Sequence, residues 1–314
     1  MSYLQSIYDS IYVPSLLTHV LYGGYAVLFA IFMYIMRCKN GITQRVHQVA
    51  IISLFALATV GFIFSSIEEN MQVKLKSGPG LESFKDWFNP YLISQTVLFG
   101  IYTLANVIAD FILIHRCYKL WKSKKRVIAF PVFISVVNNG LALVRMIFQA
   151  IWAKDMITDD FETLDSDTLS SIGKLGPDFL ISFLAVNLFA NLLIPFMIAG
   201  RIWWIGRQAS KFIGRRKNSL TRRSITAICL ESGIIYPVLL IPTLAVYVPI
   251  YTSTASFNFL GDLIPMLTQV VGIAPTFIIV RVALGISIEN VQDTAASWDN
   301  EGDLEDDAST GASV

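Results

Sequence analysis

Apolar runs of about 18 residues or more recur along the chain, separated by shorter polar stretches. Each run is long enough to cross a hydrocarbon layer about 30 Å thick as an α-helix. Seven spans follow from this pattern, at 16–36, 49–67, 93–113, 127–151, 179–203, 225–247 and 263–286. No segment alternates apolar and polar positions between turns, which argues against a β-barrel. The predicted fold is an all-α polytopic membrane protein, with a seven-transmembrane-helix bundle over 16–288. A short N-terminal segment, 1–15, precedes it, and a tail, 289–314, follows. Spans five to seven carry Pro195, Pro237, Pro242, Pro265 and Pro275. Membrane helices tolerate proline because neighbouring groups re-satisfy the freed carbonyls. Gly23 and Gly24 in span one predict close helix packing there.

Composition agrees with the pattern. Hydrophobic residues are 54% and charged residues 15% of the 314, against about 45–50% and 25% in soluble domains. The placement of the 24 basic residues then orients the bundle. Three lie between spans one and two, six from Arg116 to Arg126, and eight in the 199–224 stretch that leads from span five to span six. Basic loops stay in the cytoplasm, so the N-terminus is expected outside and the C-terminus inside. The N-terminal segment contains no Lys or Arg, so it lacks the charged start of a secretory signal peptide.

The third inner loop, within "AGRIWWIGRQASKFIGRRKNSLTRRS" (199–224), holds Arg201, Arg207, Lys211, Arg215, Arg216, Lys217, Arg222 and Arg223, with no acid. Its plain function is a topology signal that also attracts anionic inner-leaflet headgroups. Nucleic-acid binding is not expected, because no soluble domain accompanies the patch. The acidic 154–178 stretch reads as a solvated outer loop. The tail from Glu289 onward, with eight acids and no Lys or Arg, cannot build a core and is expected to be disordered.

Candidate chemistry is sparse. Cys38 and Cys117 lie at inner helix ends and read as small buried thiols, with S-acylation there as the alternative; Cys229 lies inside span six. None is in an outer loop, so no extracellular disulfide is expected. His19, His47 and His115 fall on separate spans with no paired spacing, which gives no zinc signature. No phosphate loop, nucleophile elbow or HExxH occurs, span seven has no lysine for a Schiff base, and no glycosylation sequon is present. Neither an enzyme nor a cofactor is expected.

Ionisable groups inside spans carry more information, since each costs about 2.5–3.5 kcal/mol at a bilayer centre. Asp110 lies about 9 Å above the inner edge at 1.5 Å per residue, Glu231 lies at a similar depth, and Arg281 lies in the inner third of span seven. Matching depth predicts an ionic cluster between spans three, six and seven. It would be either a static brace or a latch that helix movement breaks, with separate snorkelling groups as the alternative. Arg145 is expected to snorkel outward, and Asp262 to sit at the outer start of span seven. Asn106, Asn138, Asn139, Asn187 and Asn191 lie between the interfaces, and Asn187 and Asn191 share a helix face. They predict either packing hydrogen bonds or a polar cavity among spans three to five.

Four stretches together carry a resemblance: "DFILIHRCYKLWKSKKRVIAFP" (110–131), "AGRIWWIGRQ" (199–208), "ESGIIYP" (231–237) and "IAPTFIIVRVALG" (273–285). The chain resembles a large family of seven-span membrane proteins of mushroom-forming (basidiomycete) fungi. That resemblance covers the seven spans. It implies fold, fungal source and membrane location, and no activity.

In outline the chain is also similar to a G-protein-coupled receptor. However, span three ends "HRCYKLW" without Asp-Arg-Tyr, and span seven has "APTFI" in place of Asn-Pro-x-x-Tyr. The leading expectation is a receptor-like sensor with an unidentified ligand and a G-protein-like inner partner, in the plasma membrane rather than internal membranes. The alternatives are a small-solute or ion transporter and a non-catalytic membrane organiser. No internal repeat of the kind transporters commonly show is visible.

Overall fold

The computed structural model describes residues 2–38, 45–76, 81–120, 125–158, 166–209, 236–238, 240–242, 263–281 and 284. Five long helices lead: α1 (Ser2–Cys38), α2 (Arg45–Lys76), α3 (Leu81–Leu120), α4 (Lys125–Thr158) and α5 (Ser166–Ala209). A sixth, α6 (Ile264–Arg281), completes the described bundle. Among the described residues, six helices are long and apolar enough to cross a membrane, with crossing segments Pro14–Cys38, Arg45–Leu75, Lys85–Tyr118, Ala129–Ile157, Phe179–Met197 and Ile264–Arg281. These coincide with expected spans one to five and seven. Of the expected sixth span, 225–247, only residues 236–238 and 240–242 are described, and both pieces are helical.

The helices outrun the apolar segments that predicted them. The segment expected to precede span one is helical from Ser2, and α4 and α5 take up most of the 154–178 stretch, leaving 159–165 outside the described residues. Hydropathy reports where a helix meets hydrocarbon, whereas backbone hydrogen bonding continues past that edge. Prolines are accommodated within helices at Pro14, Pro90 and Pro131 as well. Four residues after Pro14, Thr18 donates its hydroxyl to the Pro14 carbonyl at 2.9 Å.

Burial is inverted relative to a protein folded in water. Leu16 is 67% exposed and Phe133 and Val136 65%, while Asn138, Asn187 and Gln269 are 0% exposed. Contiguous exposed apolar surface on this scale is foreign to soluble monomers and suits helices whose outer faces meet lipid. Together with the six long apolar helices, it makes the chain a multi-pass membrane protein, all-helical among the described residues.

Neighbours pack in chain order, α1 on α2, α2 on α3, α3 on α4 and α4 on α5, and α3 also meets α5. α6 is the central helix, with 78% of its span buried against 17% for α1. Its Leu263–Val271 side joins the main core with Leu54, Tyr102, Phe183 and Leu240. Further along, Ile279 and Val280 pack with Phe32 of α1 and Ile51 of α2. Gln269 ties α6 to α2 by donating its amide to the Ala58 carbonyl at 2.9 Å. Among the described residues, nothing lies within 4 Å of a Cβ built at Gly23 or Gly24, where close packing was expected. It occurs at Gly272 instead, against the ring of Tyr25. Both faces of that contact are buried core, whereas the paired glycines lie on the most exposed helix.

Candidate functional site

The polar interior is built on α3, where Tyr102, Asn106 and Asp110 recur every fourth residue and so share one face. All three are buried. Opposite them, α5 supplies Asn187 and Asn191 and α4 supplies Ser135, Asn138 and Asn139. These again lie at the three- and four-residue spacings that stack side chains on one face. Tyr236 enters from the helical piece between α5 and α6.

Asn187 is the hub. Its amide nitrogen faces Tyr102 Oη at 3.1 Å, Asn106 Oδ1 at 3.3 Å and Tyr236 Oη at 2.5 Å. An amide has two N–H donors, so these three acceptors share them. Its carbonyl oxygen accepts from Asn191 at 2.7 Å and from Asn138 at 3.4 Å. Tyr102 and Tyr236 close the ring with hydroxyls 2.8 Å apart. Asn106 and Asn191 also donate to backbone carbonyls one turn earlier, of Tyr102 and Asn187, both at 2.9 Å. Four of the five asparagines singled out by sequence are thus brought into one network with two tyrosines. Every member is neutral.

A small cavity of about 20 Å³ adjoins this ring, bounded by Asn106, Asn191, Pro195, Tyr236, Val271 and Pro275 among others. That volume holds a water molecule and is far below the roughly 300–1,000 Å³ of a drug-sized ligand pocket.

The fifth asparagine, Asn139, belongs to Asp110. Asp110 Oδ2 accepts the Ser135 hydroxyl at 2.7 Å and the Asn139 amide at 3.2 Å. The Asn139 nitrogen also bonds the Ser135 carbonyl at 2.9 Å. Of the ionic cluster expected from depth, Asp110 is met by hydroxyl and amide donors on α4. A height along the helix does not say which side of α3 Asp110 occupies. Arg281 lies with its guanidinium 5.7 Å from the Phe277 ring centre, one turn back on its own helix. Glu231 and Asp262 lie outside the described residues.

Of the basic set, Arg201 and Arg207 occupy the end of α5, and the Arg201 guanidinium lies 4.5 Å from the Trp204 ring. Lys211, Arg215, Arg216, Lys217, Arg222 and Arg223 lie outside the described residues. The Arg145 guanidinium lies 5.6 Å from the ring of buried Phe99, turned into the bundle. Cys38 is exposed and Cys117 buried, so the two thiols expected to be alike differ.

Several buried polar groups were not flagged by sequence. Tyr102 and Tyr236 read there as ordinary aromatic residues of a span; the four-residue spacing of Tyr102 from Asn106 was the available signal. Glu68 and Gln72 are buried on the far part of α2, beyond the residue 67 limit set for span two. His47 and His115, 68 residues apart, meet across α2 and α3, with Nε2 and Nδ1 3.3 Å apart. Among the described residues, no group of three or more His, Cys, Asp or Glu is placed to hold a metal ion. Compared with known protein families, curated proteins and solved structures, the chain matches none.

Proposed function

We propose that the chain is a receptor-like sensor of a cell membrane, the plasma membrane rather than an internal one. In this scheme the 225–247 stretch supplies the sixth of seven spans, the N-terminus is outside, and the basic 199–224 loop faces a G-protein-like partner in the cytoplasm. One observation carries it: the Asn187-centred network joins α3, α4, α5 and the Tyr236 piece through neutral hydrogen bonds alone. Each such bond inside a membrane is worth only about 0.6 kcal/mol, and its partners are interchangeable. A joint of this kind holds one helix arrangement while another lies within a few kcal/mol, which is what a ligand needs in order to shift a population. α5 runs from this joint directly to Arg201 and Arg207, so movement at Asn187 is transmitted to the basic loop.

The test is affinity capture from mild-detergent extracts of the source membrane after nucleotide depletion. Wild type is compared with a variant whose basic residues at 207–223 are neutralised and whose topology is verified. Capture of a G-protein α subunit by wild type alone supports the proposal. Equal capture by both, or by neither with the protein correctly inserted, overturns it.

Ion-coupled transport is the second reading, favoured by the buried carboxylate of Asp110 among neutral donors. Flux in proteoliposomes that is lost in Asp110→Asn would establish it.

A further inference from the structure

Around Asp110 the bundle holds an excess of hydrogen-bond acceptors. The carboxylate is buried on α3 and receives one hydroxyl and one amide. On the facing turn of α4, the side-chain carbonyl oxygens of Asn138 and Asn139 are also buried and accept no hydrogen bond. Asn138 is fully buried. Each buried acceptor without a donor costs about 1–3 kcal/mol, and an ionised carboxylate at this depth costs more again. A single positive species among these oxygens offsets both costs.

We propose that Asp110, Ser135, Asn138 and Asn139 form a binding site for one small monovalent cation, with sodium as its natural probe. The donor set is oxygen only: a carboxylate, a hydroxyl and two amide carbonyls, which are hard ligands suited to a hard cation. One carboxylate balances one positive charge. A divalent ion would leave a net charge in a low-dielectric interior, where an unpaired charge is strongly unfavourable. The asparagine amides reach the ion by turning about their last torsion, which is broad and roughly two-fold. A proton on Asp110 would serve one of the two orphan carbonyls, whereas a cation between them serves both. The bound ion would clamp α3 to α4 and, by turning the Asn138 amide, release the hydrogen bond it donates to Asn187, and so would set the state of the hub. The site stands apart from the sensor and transport readings, because its readout is stability and needs neither partner nor flux.

The experiment is thermal unfolding of the purified full chain in detergent at fixed pH, titrated with sodium chloride against choline chloride at constant ionic strength. A saturable rise of about 2–4 °C is expected once sodium exceeds its dissociation constant tenfold. It should be absent in choline, absent in Asp110→Asn, and displaced to several-fold higher sodium in Ser135→Ala. Equal stabilisation by choline, or a full response in Asp110→Asn, overturns the proposal. So does stabilisation that follows pH with sodium indifferent, which would mean that a proton occupies the site. Should Asp110→Asn not fold, Ser135→Ala decides alone: an unchanged sodium midpoint overturns the proposal and a weakened one supports it.

Discussion

Replacing Gly272 with alanine should strain the contact between α6 and α1. A Cβ at this position would lie 2.6 Å from Tyr25 Cε1 and Oη and 2.7 Å from Cζ. Ordinary carbon contacts fall at about 3.5–4.0 Å, so the ring must retreat by roughly 1 Å. Tyr25 is fully buried and packs edge-on against Phe55 with ring centres 5.3 Å apart, which leaves it nowhere to go without moving α1. Overpacking of this kind costs about 1–3 kcal/mol. At roughly 2–4 °C per kcal/mol for chains of 150–250 residues, and somewhat less for a longer one, the melting temperature should fall by several degrees. Thermal unfolding of the purified protein in detergent measures it. The cause is isolated by companions at position 25. Tyr25→Phe should not rescue Gly272→Ala, because Cε1 and Cζ remain in place, whereas Tyr25→Leu should recover part of the loss. If Gly272→Ala is as stable as the parent, or if Tyr25→Leu costs the same in both backgrounds, the close approach is not real.

Asn187→Leu removes the hub and leaves Tyr102, Asn106 and Asn138 short of a partner, so it should cost about 1–3 kcal/mol by the same thermal measurement. Tyr236→Phe deletes only the hydroxyl shared by Tyr102 and Asn187, so its loss should be clearly smaller; the reverse order would contradict the hub assignment. In a Cys229→Ser background, a maleimide should label Cys38 rapidly in the folded protein and Cys117 only after unfolding. Equal labelling of both thiols before unfolding would show that the C-terminal end of α3 is not packed as described.

The crossing helices were legible because a run of apolar residues has the same meaning wherever it lies, and its length can be compared directly with the bilayer. What lies beside each helix was less so. Counting residues gives Asp110 a height along α3, but its companions Ser135 and Asn139 depend on which way α3 is rotated, and a height is silent on rotation. The asparagines were conspicuous as polar residues in apolar runs. Tyr102 and Tyr236 were not, since a tyrosine in a span passes as an aromatic residue until its hydroxyl is seen to face other polar groups. The His47–His115 contact joins positions 68 residues apart, so no local spacing announced it. Gly272 shows the same limit: Gly23 and Gly24 form the more eye-catching pair, yet contact is decided by which helix is central, and that is a property of the assembled bundle.

The central claim is that the Asn187 network is a joint holding α3 and α5 in one of two close-lying arrangements. It is tested most directly by pulsed electron spin resonance between labels at Tyr118 and Trp204, both exposed near the ends of these helices. The measurement is made in lipid nanodiscs on a background with the three cysteines replaced. Asn187→Leu should shift or split the distance distribution relative to the parent, since the bonds that select one arrangement are gone. Superimposable distributions from a correctly inserted Asn187→Leu protein would contradict the account, leaving the network a fixed brace.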